Sequence, residues 1–432
     1  MDYRPSRSFL VLMSAFTVCG IAGAWGWHRL NSVPGHIRSG GDLWGMLTYE
    51  PKPAFEAPSA AEIARTRARA ELMKAELVHT HPLLAIDHRT IPAERNAFLR
   101  LHRLTGDGQA PHKNVSRELS SAVDEKNRAG WDATKMRSLL DAHSLLISEL
   151  REIGELKERS GNGMPDDYTG FVSAREIRNL ASVMLHSAKL AALEGNTAQA
   201  LRDVQCVSAI ATHYQEVEAP TLLMTTVTIL LDGMVRGWVL DEMVPVLGKE
   251  ADLRPWRELL AARSYEPELL SHTLRGEWHY LTGSFLLPVL LRDGPDTPPD
   301  VDELMVFLAD QYSGSVERVA KASLADLIDL PGMDRSEYSH LSKESRELAG
   351  LLTVGWSKWG NGFVREAVRQ RMGLAAMEIL ILERTGSGEV GADIMERLPR
   401  NPLDGTPFFY DPATRTVSRS AEDDDRPMVL PK

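Results

Sequence analysis

The feature that most limits the fold of this chain is the helical spacing of its apolar residues, which recurs over most of its 432 residues. The stretch 132–159 is the clearest example, with apolar side chains at Met136, Leu139, Leu140, Ile147, Leu150, Ile153 and Leu156. Residues three and four apart lie on one face of a helix, so the pattern predicts a helix with one buried face. We therefore expect a mainly α-helical body, residues 59–384, of stacked antiparallel helices joined as helical hairpins.

Glycine, proline and capping residues divide this body into separate helices. The first is expected to begin at the capping box Ser59-x-x-Glu62, and Gly195-Asn196 and Pro331-Gly332 are expected breaks. The predicted helices are 59–78, 132–159, 171–194, 197–214, 220–247, 252–263, 267–291, 301–330 and 336–384, with short helices between residues 79 and 130.

The composition of the ends differs from that of the body. Residues 30–58 are rich in glycine and proline, which predicts a stalk without regular structure. Residues 385–420 predict a loop and a β-hairpin, with strands at 407–410 and 415–418. Side chains alternate along a strand, so Phe408 and Tyr410 should share one face and Phe409 the other. Residues 421–432 include four consecutive acidic residues and predict a disordered tail.

The N-terminal segment, residues 1–29, determines the expected location. Residues 8–27 are uncharged and follow Arg4 and Arg7, and 20 residues are enough to span a bilayer as a helix. Two interpretations stay open: an uncleaved signal anchor, or a signal peptide cleaved after Ala24. The first makes the chain a single-pass protein of the bacterial inner membrane with its body in the periplasm, and the second releases the body into the periplasm or the medium.

Composition excludes several classes of protein. The chain is 43% hydrophobic and 25% charged, which is typical of globular proteins and not of collagen, disordered chains or polytopic membrane proteins. Its net charge is −11 and no lysine- or arginine-rich run is present, so we expect no nucleic-acid partner. Cys19 and Cys206 are its two cysteines, which predicts no disulfide within the body.

Two segments carry a resemblance to a known group. Residues 174–234 combine a helix, the turn Glu194-Gly195-Asn196, an Ala/Leu helix and an apolar helix led by proline, and residues 398–410 read LPRNPLDGTPFFY. Both resemble a group of uncharacterised bacterial envelope proteins with a D-P-x-x-G-x-P-x-x-Y ending that type II secretion pseudopilins share. Asn401 stands where that group usually has aspartate. The resemblance implies an exported helical body with a small β ending, and it implies no activity.

Two sets of side chains are candidate metal or catalytic sites. The first is His79, His81, Asp87 and His88, and the second is His272, Glu277 and His279. Imidazole and carboxylate groups at short spacing suit zinc, although helix surfaces also carry histidines with no such role. No H-E-x-x-H or G-x-S-x-G motif accompanies them, and the G-x-G-x-x-G match at 386–391 lacks a βαβ unit. We predict no metal and no cofactor.

An aromatic face is the candidate surface for a protein partner. Trp356, Trp359 and Phe363 recur at helical spacing, and core packing is the competing interpretation because aromatic side chains bury large areas. Taken together, the sequence favours a non-enzymatic function: an exported, membrane-anchored helical scaffold or partner-binding subunit of a secretion, pilus-like or surface assembly. The alternative is an exported hydrolase or metal-dependent enzyme that uses one of the histidine sets.

Overall fold

The structure, a computed structural model, is mainly α-helical with a small C-terminal β-sheet, which confirms the predicted fold class. It describes residues 60–106, 131–161, 174–285, 301–328, 338–342, 345–346, 349, 356–386, 392–419 and 427–431. The predicted N-terminal segment 1–29 and stalk 30–58 lie outside these residues, as do residues 387–391 of the glycine motif.

The residues that the structure describes form a succession of helices along the chain. In order they are α1 (Ala60–Thr80), α2 (Ala97–Gly106), α3 (Ala133–Ala142), α4 (Ser144–Glu155), α5 (Ala174–Leu193), α6 (Thr197–Gln215), α7 (Leu222–Trp238), α8 (Val244–Val246), α9 (Arg254–Ala261), α10 (Pro267–Tyr280), α11 (Val301–Lys321), α12 (Trp356–Arg384) and α13 (Ala392–Met395). A 3₁₀ turn, Pro82–Leu84, follows α1, and π-helical turns, Val239–Met243 and Leu281–Phe285, extend α7 and α10.

Most helix ends agree with the local signals in the sequence. Gly195, with φ of +80°, forms the turn between α5 and α6, and the Asn196 side chain accepts a hydrogen bond from the Gln199 amide at 3.1 Å. The predicted helix 132–159 is instead two helices, because the backbone leaves helical geometry at His143 (φ −116°, ψ 22°). The helix predicted for 301–330 ends early, at Lys321, and continues as turns.

Two hydrophobic cores lie side by side. The first is built from α2 to α9, the C-terminal half of α12, α13 and the sheet. The second is built from α1, α10, α11 and the N-terminal half of α12. Because α12 supplies Phe363 to the second core and Met377 to the first, this one long helix joins both.

The sheet contains the predicted hairpin and one unpredicted strand. Strands β1 (Phe409–Asp411), β2 (Thr416–Ser418) and β3 (Met428–Val429) are antiparallel in the order β1-β2-β3, with Tyr410 opposite Val417 and Val417 opposite Met428. Phe408 is buried and Phe409 is 43% exposed, which confirms the predicted alternation. The prediction of a disordered tail is wrong for residues 427–431, because β3 pairs with β2 and Leu430 is buried. Residues 421–426 lie outside the described chain.

Among the residues that the structure describes, one helical segment has the length and hydropathy of a membrane span. It is Leu222–Val246, which lies in the middle of the chain. Buried core helices meet the same two criteria, and 44% of the apolar window in this segment is buried inside the protein.

Candidate functional site

A polar network lies between the two cores, where α7, the connection from α9 to α10, and α12 meet. Arg236 on α7 donates two hydrogen bonds to the Glu366 carboxylate on α12, at 2.5 and 3.1 Å. Both side chains are at most 10% exposed. Burial lowers the pKa of Arg236, but the Glu366 carboxylate more than compensates and the net shift is upward. The pair is therefore a buried ion pair that ties α7 to α12.

Neighbouring side chains complete the network. Asp232 accepts hydrogen bonds from Arg263 Nε at 2.6 Å and from the Tyr265 hydroxyl at 2.7 Å. Arg263 also donates to the Thr212 hydroxyl at 3.1 Å, and the Gln370 amide donates to the Arg263 carbonyl. Burial raises the pKa of Tyr265 well above its ordinary value, so its hydroxyl stays protonated and remains a donor.

The space inside this network is small. A cavity of about 20 Å³ is lined by Ser208, Asp232, Val235, Arg236, Leu259, Leu260, Arg263 and Gln370. A space of that size holds about one water molecule. The charged side chains of this network pair with one another, so the network holds the helices together. The cavity that they line is too small for a substrate.

A second polar contact region runs along one face of α10, against the connection from α6 to α7 at residues 215–222. His272 Nε2 lies 3.1 Å from the Val217 carbonyl oxygen, and the Thr273 hydroxyl lies 2.8 Å from that of Thr225. One turn later, Glu277 Oε2 accepts a hydrogen bond from the Leu222 amide at 2.8 Å. Burial of the carboxyl group raises the pKa of Glu277 to about 7.

The second predicted set, His272, Glu277 and His279, is engaged in contacts with the backbone. His272 bonds the Val217 carbonyl, Glu277 bonds the Leu222 amide, and His279 Nε2 lies 2.7 Å from the Leu84 carbonyl oxygen. Burial lowers the pKa of His279 to about 3, so it is neutral. The three side chains contact three different backbone groups, two in the connection 215–222 and one at Leu84, and the structure does not bring them to one point.

The first predicted set is not brought together either. His81 Nε2 lies 2.9 Å from Asp310 Oδ1 on α11, while His79, Asp87 and His88 are exposed. Among the residues that the structure describes, no three histidine, cysteine, aspartate or glutamate side chains are placed to hold a metal ion. His81 is thus a contact between the end of α1 and α11.

The predicted aromatic face is divided between core and surface. Phe363 is fully buried in the second core, with its ring edge-on to Tyr265 at a centroid distance of 5.4 Å. Trp359 is half-buried, and the side chain of Trp356 lies outside what the structure describes. Phe363 therefore contributes to packing and is not available to a partner.

Sequence reasoning missed the buried charges. Asp203 on α6 is buried and accepts hydrogen bonds from Arg151 at 2.7 and 2.9 Å and from the Ser187 hydroxyl at 2.7 Å. Glu218 accepts the Gly161 amide at 2.9 Å and the Arg89 amide at 3.2 Å. The available signal for Asp203 was a charged residue within the apolar face of a predicted helix, next to Ala200 and Val207.

Cys206, which lies one turn from Asp203, is a packed core residue. Its thiol donates to the Leu150 carbonyl at 3.0 Å, and burial raises its pKa to about 12. Cys206 is therefore a packing residue whose thiol stays protonated, and it lacks the thiolate character of a nucleophile.

The resemblance to bacterial envelope proteins rests on residues 174–234, which form α5, α6 and most of α7, and on residues 398–410, which lead into β1. Comparisons with known proteins add no relative to that resemblance, which stays a prediction. No protein-family model, no curated protein and no solved structure matches this chain.

Proposed function

We propose that this chain is a membrane-anchored helical scaffold of the bacterial envelope, which binds a protein partner in a secretion, pilus-like or surface assembly. Its anchor is the uncharged segment 8–27. Arg4 and Arg7 precede this segment and stay in the cytoplasm, so the body faces the periplasm. Cleavage after Ala24 is the alternative fate of the segment, and it leaves the body in the same compartment.

The scaffold proposal rests on one observation: three histidines of the predicted sites make contacts that fix helix positions. His81, His272 and His279 each join a helix to a distant segment of the chain, through Asp310, the Val217 carbonyl and the Leu84 carbonyl respectively. Burial keeps the pKa of His272 and of His279 below the ordinary value, so both rings are neutral packing elements. Side chains of the type that enzymes use for acid–base chemistry are here used to fix helix positions.

The resemblance of residues 174–234 and 398–410 to bacterial envelope proteins supports an exported helical body. Helical bodies with stacked hairpins present extended surfaces to partners. The partner is therefore expected to be another protein of the envelope, and nucleic acid is not expected because the chain has a net charge of −11.

The anchor is tested by a reporter that is active only in the periplasm, fused after Pro58. Activity is expected, and substitution Phe16→Arg should abolish it because an arginine at the centre of a span costs about 2.5–3.5 kcal/mol. Phe55→Arg, in the predicted stalk, is the matched control and should leave activity unchanged. An inactive wild-type fusion would refute export, and mass spectrometry of the mature N-terminus distinguishes anchor from cleaved signal.

The scaffold itself is tested by affinity purification of the full-length chain from native membranes, with metal analysis of the eluate. An envelope protein at fixed stoichiometry is the expected result. Stoichiometric zinc or iron without a co-purifying protein would contradict the proposal and favour an exported metal-dependent enzyme.

A further inference from the structure

The last residues that the structure describes, 427–431, pack against the sheet and against α12. We call this segment the strap. Met428 and Val429 form β3, which pairs with β2, and Leu430 beyond it is 2% exposed and belongs to the first core. Val429 is 49% exposed. The strap therefore has an inner side that the body covers and an outer side that faces solvent.

The surface under the strap is formed by β2, by Arg415 at the start of β2, and by the part of α12 around Gly373. We call it the acceptor groove. The Arg415 carbonyl accepts the Leu430 amide at 2.8 Å, and Arg415 Nη2 donates to the Pro431 carbonyl at 2.7 Å. Met428 reaches α12, where a Cβ on Gly373 would lie 3.8 Å from its methyl carbon. The groove thus binds an extended segment by its backbone and takes apolar side chains at alternate positions, as in β-strand addition.

Few contacts hold the strap in the groove. Two of its residues pair with β2 and Leu430 is its one buried side chain, while ordering of the whole segment costs conformational entropy. Arg415, which makes the remaining bonds, has a φ of +54°, a strained value for a residue other than glycine. Its Nε is also buried and has no acceptor among the described residues. Release of the strap is therefore a local event.

The groove is held in shape by contacts that do not involve the strap. Glu383 on α12 accepts two hydrogen bonds from the Arg415 guanidinium, at 2.8 and 2.9 Å. Tyr410 on β1 pairs with Val417 on β2, and Val417 is fully buried in the first core. An acceptor groove without its strap therefore keeps both its strand edge and its arginine in place.

We propose that the acceptor groove is a site of strand exchange, in which the strap of a second copy of this chain replaces the copy's own strap. The occupant is argued from fit, because two copies that exchange identical straps regain the same contacts in both directions. β2 ends at Ser418 and β3 begins at Met428, so nine residues join them. Nine residues span up to about 30 Å, which is enough to reach a neighbouring molecule. This inference does not depend on the proposed function.

Closure by the copy's own strap competes with exchange. A connection of this length holds the strap at an effective concentration on the order of millimolar, so dilute copies close on themselves. Exchange is therefore expected where the chain is concentrated, and its rate per molecule should rise in proportion to the protein concentration.

The test traps exchange with cysteines placed in different molecules. Thr416 lies directly opposite Val429, and because the Leu430 amide bonds the Arg415 carbonyl in the next pair, this is a non-hydrogen-bonded position within reach of a disulfide. Full-length Thr416→Cys and Val429→Cys variants, both with Cys19→Ser, are mixed in detergent at high concentration with oxidised glutathione. The remaining native cysteine is buried. A covalent dimer of one variant with the other is expected, and its absence overturns the proposal.

Two controls separate exchange from random collision. Thr414→Cys, in the exposed turn before β2, replaces Thr416→Cys and should form the dimer at least about tenfold more slowly, because Thr414 is not opposite the strap. Equal rates overturn the proposal. A chain that carries both Thr416→Cys and Val429→Cys should form the disulfide within one molecule, which checks the register.

Leu430→Asp should have opposite effects in the two molecules. Added to the Val429→Cys copy it should abolish the dimer, because an aspartate cannot enter the core of the other copy. Added to the Thr416→Cys copy it should raise the rate, because the competing strap no longer closes the groove. An unchanged rate in the first mixture or a lower rate in the second, with Leu430→Asp folded by circular dichroism, overturns the proposal. Where Leu430→Asp unfolds the chain, the comparison with Thr414→Cys decides alone.

Discussion

Substitution of Gly276 by alanine tests how much of the stability depends on the close approach of α10 to the connection from α6. The added Cβ would lie 2.2 Å from the Pro220 carbonyl oxygen and 2.6 Å from the Ala219 carbonyl carbon. Both atoms belong to the backbone, so α10 must move by about 1 Å to restore ordinary contact, and overpacking of this kind costs about 1–3 kcal/mol. That movement also strains the hydrogen bonds of Glu277 and His272, each worth about 1 kcal/mol.

Helix propensity acts in the opposite direction, because alanine is favoured over glycine by about 1 kcal/mol within a helix. We therefore expect Gly276→Ala to lower the free energy of unfolding by about 2–3 kcal/mol. Gly314→Ala is the matched control: Gly314 lies within α11, and a Cβ there meets no atom within 4 Å. It should raise the stability by about 0.5–1 kcal/mol.

The assay is urea unfolding of both variants and the wild type, followed by far-UV circular dichroism. Comparable stability of Gly276→Ala and Gly314→Ala would refute the argument, since it would mean that the contact between α10 and the Pro220 carbonyl accommodates a methyl group without cost. A large loss in Gly314→Ala would equally show that the helix-propensity reasoning does not apply to this chain.

Three further predictions concern the cores and the buried charges. Glu366→Leu should destabilise the protein by about 3–5 kcal/mol, whereas Arg236→Met combined with Glu366→Leu should be close to neutral, as measured by chemical unfolding. Phe408→Ala should cost about 3–5 kcal/mol, and Phe409→Ala, at an exposed position, within about 0.5 kcal/mol in the same measurement. Burial lowers the pKa of His213 to about 4, so the stability it contributes is present above pH 6.5 and is lost as pH falls towards 4; a His213→Gln variant should show a flatter profile over that window.

Local chemistry explains which helix boundaries the sequence predicts. The Gly195-Asn196 pair predicts the turn between α5 and α6. Glycine readily adopts the positive φ found at Gly195, and the Asn196 side chain caps α6, so both effects act within a few residues. The break at His143 was not predicted, because the residues around it, Ala142 and Ser144, are compatible with a continuous helix. Strand β3 was missed because its two residues are stable only through pairing with β2 and the burial of Leu430.

The polar contacts could not be predicted for a related reason. His81 and Asp310 are 229 residues apart, and Arg236 and Glu366 are 130 residues apart. Sequence spacing identifies residue types suited to metal binding or catalysis, but their partners depend on how distant helices are placed. Among the predicted site residues, His272, Glu277 and His279 share one helix as expected, and the surrounding helices then direct each side chain to a separate partner.

The division of α12 between the two cores has a consequence for the order of folding. The first core begins at Ala97, yet it also contains Phe408, Val417 and Leu430, which are synthesised long after its first helices. Strands β2 and β3 pack against α12, so the helices made earlier keep apolar surface uncovered until these strands have been made. The first core therefore cannot close before residues 408–430 have been made, and a chain truncated before residue 398 is expected to aggregate during synthesis.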